Sequence, residues 1–167
     1  MTAIYSRIEL NRTRWQSIVI VTLAFWLSGS LILDLVIMPS LYASGMMTSS
    51  GFAATGNLMF WAFNRVELLC AALALTGIVA LNASPIDAGK HSHTAIFLSL
   101  FLLAIALVDT YALTPQMSAL GIQLNLFDPV TEVPSGMDLL HEGYFGLEVL
   151  KLAVGSVLLG WCRHNQV

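Results

Sequence analysis

Four long apolar segments alternate with short polar segments along this chain. The apolar segments cover about 15–38, 57–81, 94–114 and 137–161, and each is long enough to cross a bilayer as a helix, which takes roughly 20 residues. Pro39 and Pro115 follow the first and third segments, and the connections 39–56 and 116–136 contain the Gly, Pro and Ser residues typical of loops. The pattern predicts an all-α fold, a four-helix transmembrane bundle formed by one membrane domain over residues 1–167.

The positions of the basic residues predict the orientation of this bundle. Basic residues precede the first helix, lie between the second and third, and follow the fourth: Arg7, Arg12, Arg14, Lys90 and Arg163. The other two connections contain neither Lys nor Arg. Since cytoplasmic loops carry the excess of basic residues, we expect both termini to be cytoplasmic.

Composition agrees with a membrane location. The chain is 57% hydrophobic and 10% charged, with a mean hydropathy of +0.78, whereas about a quarter of the residues of a soluble domain are charged. Its net charge of -3 gives no basic surface for nucleic acid. Cys70 lies in an apolar segment and Cys162 at the end of one, without CxxC spacing, which argues against a disulfide or zinc site. We expect an integral protein of the bacterial plasma (inner) membrane or thylakoid membrane, in contact with the lipid bilayer and assembled as a homo-oligomer or within a larger membrane complex.

Ionisable residues interrupt every predicted span, and such residues mark a functional site or an internal partner. They form a predicted intramembrane polar cluster: Asp34, Arg65, Glu67, Asp109, His141, Glu148 and Lys151. With a rise of about 1.5 Å per residue, most of these lie within roughly 10 Å of the outer boundary, and Lys151 lies near the middle. Four acids face two bases inside the spans, so two acids must be protonated, hydrated or bound to a cation. Structural ion pairing and a proton, ion or metal site both remain open.

Helical spacing constrains how these charges pair. Glu148 and Lys151 are three residues apart, so they can pair along one helix. Arg65 and Glu67 are two residues apart and point to nearly opposite sides. Either Arg65 reaches toward the outer headgroups, or one of the two meets a partner chain.

Two pairs of small residues have the spacing that allows close contact between spans. They are Ala24 with Ser28 and Ser156 with Gly160. The pattern predicts helix packing at these positions, although it is common in membrane helices.

Soft ligands gather on the predicted outer side. Met46 and Met47 could join His141 and Glu148 in a metal site, since thioethers suit Cu(I). The alternative is that methionine fills space at helix ends. No nucleophile elbow, P-loop or dinucleotide fingerprint is present, so no catalytic residue is predicted and an enzyme is the least favoured class.

Three stretches resemble a known family: SGSLILDLVIMPSLY (28–42), VDTYALTPQM (108–117) and LLHEGYFGLEVLKL (139–152). They are similar to the family called domain of unknown function 4149, the transmembrane protein 205-like four-pass membrane proteins. The resemblance covers most of the chain and implies the same four-pass layout, with Pro115 and His141 at matching positions. The family pattern has a polar amide seven residues after the histidine, where this chain has Glu148, so the resemblance implies no shared site chemistry.

Two functions fit these observations. The first is an accessory or assembly component of a larger membrane complex, which the small size and the opposed Arg65 and Glu67 favour. The second is a proton or metal-cation transport or resistance factor, with copper as one possible metal, which uses the outer acidic and histidine cluster. A single four-helix unit is small for alternating access, which usually requires repeated halves, although a dimer could supply them.

Overall fold

A computed structural model describes residues 2–44, 52–83, 91–127 and 136–164. The described residues form six α-helices and two π-helical turns, and they contain no strand. The α-helices are α1 (Thr2–Ile32), α2 (Met38–Ala43), α3 (Phe52–Asn82), α4 (His91–Val108), α5 (Thr114–Phe127) and α6 (Met137–His164). The π-helical turns are π1 (Leu33–Ile37), which joins α1 to α2, and π2 (Asp109–Leu113), which joins α4 to α5.

The prediction of four long apolar helices is confirmed. Four segments are long and apolar enough to cross a membrane: span 1 (Arg12–Leu41), span 2 (Thr55–Asn82), span 3 (His93–Leu120) and span 4 (Leu139–His164). Spans 1 and 3 each run through a π-turn without a break.

The two prolines do not end the helices, so this part of the prediction is wrong. Pro39 lies in α2 and Pro115 in α5, which extends to Phe127. A proline inside a helix lacks one N–H donor, and its ring collides with the carbonyl four residues earlier. In this chain each proline follows a π-turn, where the N–H of Met38 bonds to the carbonyl of Leu33 and that of Thr114 to that of Asp109. The wider turn makes room for the ring, and the helix continues.

The four spans pack as a ring in chain order. Each span packs against the two spans adjacent in the ring, and among the described residues the backbones of the diagonal pairs do not come close to each other. Gln16 Nε2 donates to the carbonyl of Cys162 at 2.7 Å, which places the start of span 1 against the end of span 4. Ser118 and Asn57 are hydrogen-bonded at 2.6 Å, which places the end of span 3 against the start of span 2. The spans therefore alternate in direction, and one end of the bundle, here called the terminal end, holds residues 12–16 and 162–164.

The half of the bundle core on the side of the terminal end is mainly apolar, with Gln16 and Ser99 as its buried polar side chains. Its buried apolar residues are Val19, Leu23, Trp26, Cys70, Ala71, Ala74, Ile78, Leu102, Ala106 and Leu158. The outer surface of all four spans is also apolar, with large side chains exposed, among them Phe25, Leu69, Phe97 and Phe145. An apolar surface of this kind on every helix suits contact with lipid.

Candidate functional site

Lys151 lies at the centre of the bundle with none of its side chain exposed. Its ammonium donates to Glu67 Oε1 of span 2 and to Glu148 Oε1 of span 4. It also lies 6.0 Å from the centre of the Trp26 ring, at the limit of a cation–π contact. A fully buried ammonium is costly unless it is paired, and here the pairing comes from two different helices.

Glu67 Oε1 is the acceptor that joins three helices. Besides the Lys151 ammonium it accepts the indole N–H of Trp26 at 2.9 Å and the hydroxyl of Ser30 at 3.0 Å. Trp26 and Ser30 are four residues apart on α1, so both face the same side of that helix. Three donors therefore fix one oxygen of Glu67, while its Oε2 has no hydrogen-bond partner.

Asp109 brings a third carboxyl group to the same place. One carboxylate oxygen from each of Glu67, Asp109 and Glu148 lies within 4.8 Å of the other two. Asp109 is fully buried, and neither of its carboxylate oxygens has a hydrogen-bond partner. It begins the turn π2, and π-turns inside α-helices are frequent at functional sites.

Asp34, in the turn π1, lies at the edge of this group and is only partly buried. Its Oδ2 is buried without a hydrogen-bond partner, as is the Oε2 of Glu148. An ionised carboxylate accepts hydrogen bonds and donates none, so both oxygens need a donor, a proton or a cation.

Polar side chains surround the acids. Asn64 Nδ2 donates to Thr114 Oγ1 at 2.6 Å and lies 3.5 Å from the carbonyl of Asp109, at the wide turn of span 3. Tyr144 is buried with its ring edge-on to Phe60, at a centroid distance of 5.6 Å, and its hydroxyl has no hydrogen-bond partner.

The acid–lysine cluster, defined as Asp34, Glu67, Asp109, Glu148 and Lys151, carries more acid than base. Four carboxyl groups face one ammonium. If all were ionised, a large negative charge would be buried in an apolar bundle, which is strongly unfavourable. Protons or a bound cation must supply the missing positive charge.

This cluster lies near the middle of the spans. Lys151 is 12 residues from the start of span 4 and 13 from its end. Those separations correspond to about 18 and 20 Å along the helix. The spans extend further toward the end away from the termini than the sequence pattern indicated, because residues 39–41 and 116–120 are helical. Measured along the spans, the acids therefore lie further from that end of the bundle than the sequence pattern indicated.

The structure brings together five of the seven residues predicted as the intramembrane polar cluster, namely Asp34, Glu67, Asp109, Glu148 and Lys151. It separates the other two. Arg65 is exposed, stacks over the Trp61 ring at 3.6 Å and donates to the Trp61 carbonyl at 3.1 Å. His141 is also exposed, two turns from Glu148 on α6.

Of the four ligands predicted for copper, the structure describes His141 and Glu148, and His141 is not among the possible ion ligands that gather round Glu148. Met46 and Met47 lie outside the described residues. His141 is exposed and Glu148 is buried, and the group that could hold an ion consists of carboxylates alone: Glu67, Asp109 and Glu148. Carboxylate oxygens suit hard cations and protons, whereas Cu(I) prefers sulfur. The described residues therefore fit a hard cation better than copper.

Sequence reasoning did not find Trp26, Ser30, Asn64, Thr114 or Tyr144 as parts of this site. One signal was present for Trp26. Tryptophan is typical of the membrane interface, yet Trp26 is 14 residues from the start of span 1 and 15 from its end. A tryptophan at this depth needs an acceptor for its indole N–H, which pointed to a buried acid.

In comparisons with protein-family models, curated proteins and solved structures, nothing matches this chain.

Proposed function

We propose that the chain is a bacterial integral membrane protein that crosses the bilayer four times, with the terminal end of the bundle in the cytoplasm. Four apolar helices of sufficient length support the crossing, and the basic residues at the terminal end, such as Arg12 and Arg163, support the orientation. Membership of the domain of unknown function 4149 family belongs to the same proposal and rests on Pro115, His141 and the three similar stretches.

We further propose that the acid–lysine cluster binds and releases protons, in exchange for a hard metal cation, as part of transport or resistance. The observation that carries this proposal is that carboxylate oxygens of Glu67, Asp109 and Glu148, from three spans, lie within 4.8 Å of one another, while only Glu67 and Glu148 bond to the Lys151 ammonium. One acid would neutralise Lys151. The further acids leave oxygens without hydrogen-bond partners in a place where water is scarce.

Purely structural pairing accounts for less of this arrangement. A structural ion pair is stable when every charge and every polar atom has a partner. Asp109 has no hydrogen-bond donor on either carboxylate oxygen, and Glu67 Oε2 and Glu148 Oε2 also lack one. A proton or a hard cation would satisfy these atoms, because both bind carboxylate oxygens directly.

The Glu148→Gln variant separates the two explanations. It removes one exchangeable charge and leaves Glu67 and Asp109 near the Lys151 ammonium. We expect folded protein at the wild-type level, while proton-coupled uptake of Mg²⁺ or Mn²⁺ into proteoliposomes, followed with a pH-sensitive dye and by metal analysis, is lost. Glu142→Gln, an exposed acid on the same helix, is the matched control.

The opposite result would support structural pairing. In that case Glu148→Gln lowers the amount of folded protein, and adding Lys151→Met to it restores the amount by removing the unpaired ammonium. Wild-type protein that takes up neither protons nor metal under an imposed gradient would contradict the transport proposal.

The second candidate function is an accessory or assembly component of a larger membrane complex. The outward position of Arg65 favours it, because a cation stacked on Trp61 at a lipid-facing surface is suited to a partner as well as to headgroups. Span 4 also has the smallest buried share of the four spans. Extraction in mild detergent followed by native sizing and mass spectrometry tests this function: fixed partners would support it, and a metal-binding monomer or homodimer would oppose it.

A further inference from the structure

Two side-chain contacts cross the centre of the bundle between the diagonal spans 2 and 4. Lys151 bonds to Glu67, and the Tyr144 ring packs edge-on against Phe60 at a centroid distance of 5.6 Å. Tyr144 is seven residues before Lys151, and Phe60 is seven residues before Glu67, so the two spans run parallel in one register. Seven residues correspond to about 10 Å along a helix. The two contacts therefore border a layer of the bundle interior, called here the middle layer.

Asn64 lies in the middle layer, on the inward face of span 2. It follows Phe60 by four residues and precedes Glu67 by three, which places it on their side of the helix. Glu148 has the corresponding position on span 4. Asn64 is 1% exposed, and its Nδ2 lies 3.5 Å from the carbonyl of Asp109 on span 3. The amide therefore lies beside Asp109 and at the level of Glu148.

Hydrogen bonds identify the two ends of the Asn64 amide. Its NH2 group donates to Thr114 Oγ1 at 2.6 Å and lies next to the Asp109 carbonyl, which can only accept. This end is therefore the donor end, and Oδ1 is the other. Oδ1 is buried and has no hydrogen-bond partner. Since a buried amide oxygen without a partner is unfavourable, this atom needs a donor or a cation.

Other buried oxygens without hydrogen-bond partners belong to the middle layer or its borders. Asp34 is part of this group, because it lies one turn beyond Ser30, whose hydroxyl bonds to Glu67. A group of such atoms in one place points to a bound ion or water. Over the described ranges the atoms are Asp34 Oδ2, Asn64 Oδ1, Glu67 Oε2, both carboxylate oxygens of Asp109, the Tyr144 hydroxyl and Glu148 Oε2.

The charge of the fully buried groups selects the ion. The carboxylates of Glu67, Asp109 and Glu148 have oxygens within 4.8 Å of one another, and Lys151 neutralises one of the three. A divalent cation would neutralise the other two and leave no net charge among these groups in an apolar interior. Asn64 supplies an oxygen ligand without changing this balance. Carboxylate and amide oxygens are the ligands that Mg²⁺, Mn²⁺ and Ca²⁺ prefer.

We infer that the cluster binds one hard divalent cation, and that Asn64 Oδ1 is a neutral ligand of this cation beside the three buried carboxylates. Thr114 holds the amide so that Oδ1 is left for the cation. A monovalent cation would leave one negative charge buried, which is why the divalent class is selected. The inference rests on the proposed function, since it names the charge of the cation and a further ligand at the same site.

Mn²⁺ binding to the purified protein in detergent tests the ligand. The paramagnetic resonance signal of free Mn²⁺ gives the dissociation constant. Asn64→Leu should weaken binding at least about tenfold, a loss that is common when a group supporting a metal is removed. Asn57→Leu is the matched control, because Asn57 also bonds to a hydroxyl of span 3, that of Ser118, but lies outside the middle layer. We expect this control to bind Mn²⁺ as wild type does.

Asn64→Asp covers the case in which Asn64→Leu does not fold. It keeps a side-chain oxygen at the same position and adds one negative charge. A trivalent ion then balances the site better than a divalent one, so the affinity for Tb³⁺ relative to Mn²⁺ should rise about tenfold, because ligand charge tunes cation affinity. An unchanged ratio would contradict a place for Asn64 beside the cation.

Competition in the wild-type protein tests the charge class. Mg²⁺ and Ca²⁺ should displace Mn²⁺, whereas Na⁺ and K⁺ in large excess should not, with choline chloride as the control for ionic strength. Displacement by Na⁺, or an unchanged Mn²⁺ affinity in Asn64→Leu, would overturn this inference alone. Wild-type protein that binds no Mn²⁺ would instead overturn the cation exchange of the proposed function, and this inference with it.

Discussion

Trp26 donates its indole N–H across the helix interface to Glu67 Oε1, over 2.9 Å. The same oxygen accepts the Lys151 ammonium, so the tryptophan fixes the acid that holds the buried cation. An acid that already has three donors on one oxygen cannot turn away without leaving a buried ammonium less well paired. Span 1 therefore positions the cluster through a side chain that carries no charge.

Trp26→Phe should destabilise the protein. The substitution keeps an aromatic ring in the core but removes the N–H donor, so Glu67 loses one of its three donors; we expect a loss of about 1–2 kcal/mol. The measurement is the free energy of unfolding in mixed micelles titrated with sodium dodecyl sulfate. Trp61→Phe, at a half-exposed position, is the matched control. An equal loss of unfolding free energy in that variant would show that the hydrogen bond from Trp26 to Glu67 does not contribute to stability.

Lys151→Met should be far more costly near neutral pH. It leaves three acids close together without their cation, and breaking a buried pair by removing one partner costs about 3–5 kcal/mol. Lower pH should restore part of the lost stability, because protonation of the remaining acids removes negative charges that repel one another. The folded fraction of the variant, measured from pH 8 to pH 4, is expected to rise as the pH falls. The exposed cation variant Arg65→Met should show neither effect.

Asp109→Asn should be tolerated. Neither carboxylate oxygen of Asp109 accepts a hydrogen bond, so the amide loses no donor and can itself donate to a neighbouring carboxylate. We expect a stability equal to or above that of wild type. Glu67→Gln should instead lower the stability by about 1–3 kcal/mol, because an amide oxygen is a weaker acceptor than a carboxylate for the three donors that Glu67 Oε1 receives. Both are measured by the same unfolding titration. A large loss in Asp109→Asn would mean that this carboxylate has a partner that the protein's own side chains do not provide.

Gly155→Ala should disrupt the contact between spans 1 and 4. A Cβ at this position would lie 2.7 Å from Leu27 Cδ2, too close unless the buried Leu27 side chain or the helices shift. Overpacking of this kind costs about 1–3 kcal/mol. Gly160→Ala is the control, because a Cβ there meets nothing within 4 Å and alanine favours the helix. Equal stability of the two variants would show that this close approach is unimportant.

The sequence predicted the four helices and most of the charged cluster, because composition and hydrophobic length report burial in a bilayer. The spacing of Arg65 and Glu67 also predicted that the two diverge, and in the structure Glu67 is buried while Arg65 is exposed. The spacing of residues along one helix does not reveal how that helix is rotated about its axis relative to its neighbours. The contacts of Lys151 and Trp26 with Glu67 depend on that rotation.

The same limit explains the misplaced contacts between small residues. Ser28 and Ser156 are exposed, and Gly160 meets no neighbour within 4 Å. The close approaches lie instead at Gly77, against Val19, and at Gly155, against Leu27. A pair of small residues four apart marks a helix face that can approach another helix, but only the packing of all four helices decides which face does so.

The π-turns also set how the part of a span beyond the turn is rotated relative to the part before it. In a regular α-helix, successive side chains are rotated by about 100°, and a π-turn holds one residue more than an α-helical turn. In π2 the consecutive residues Asp109 and Thr110 are both buried, and in π1 Leu33 is buried next to the partly buried Asp34. In a designed bundle of ideal straight helices with the same sequence, the residues beyond each turn would be rotated by about 100° relative to those before it. To transplant this site into another scaffold, a designer would have to copy the irregular backbone turns along with the acids and the lysine.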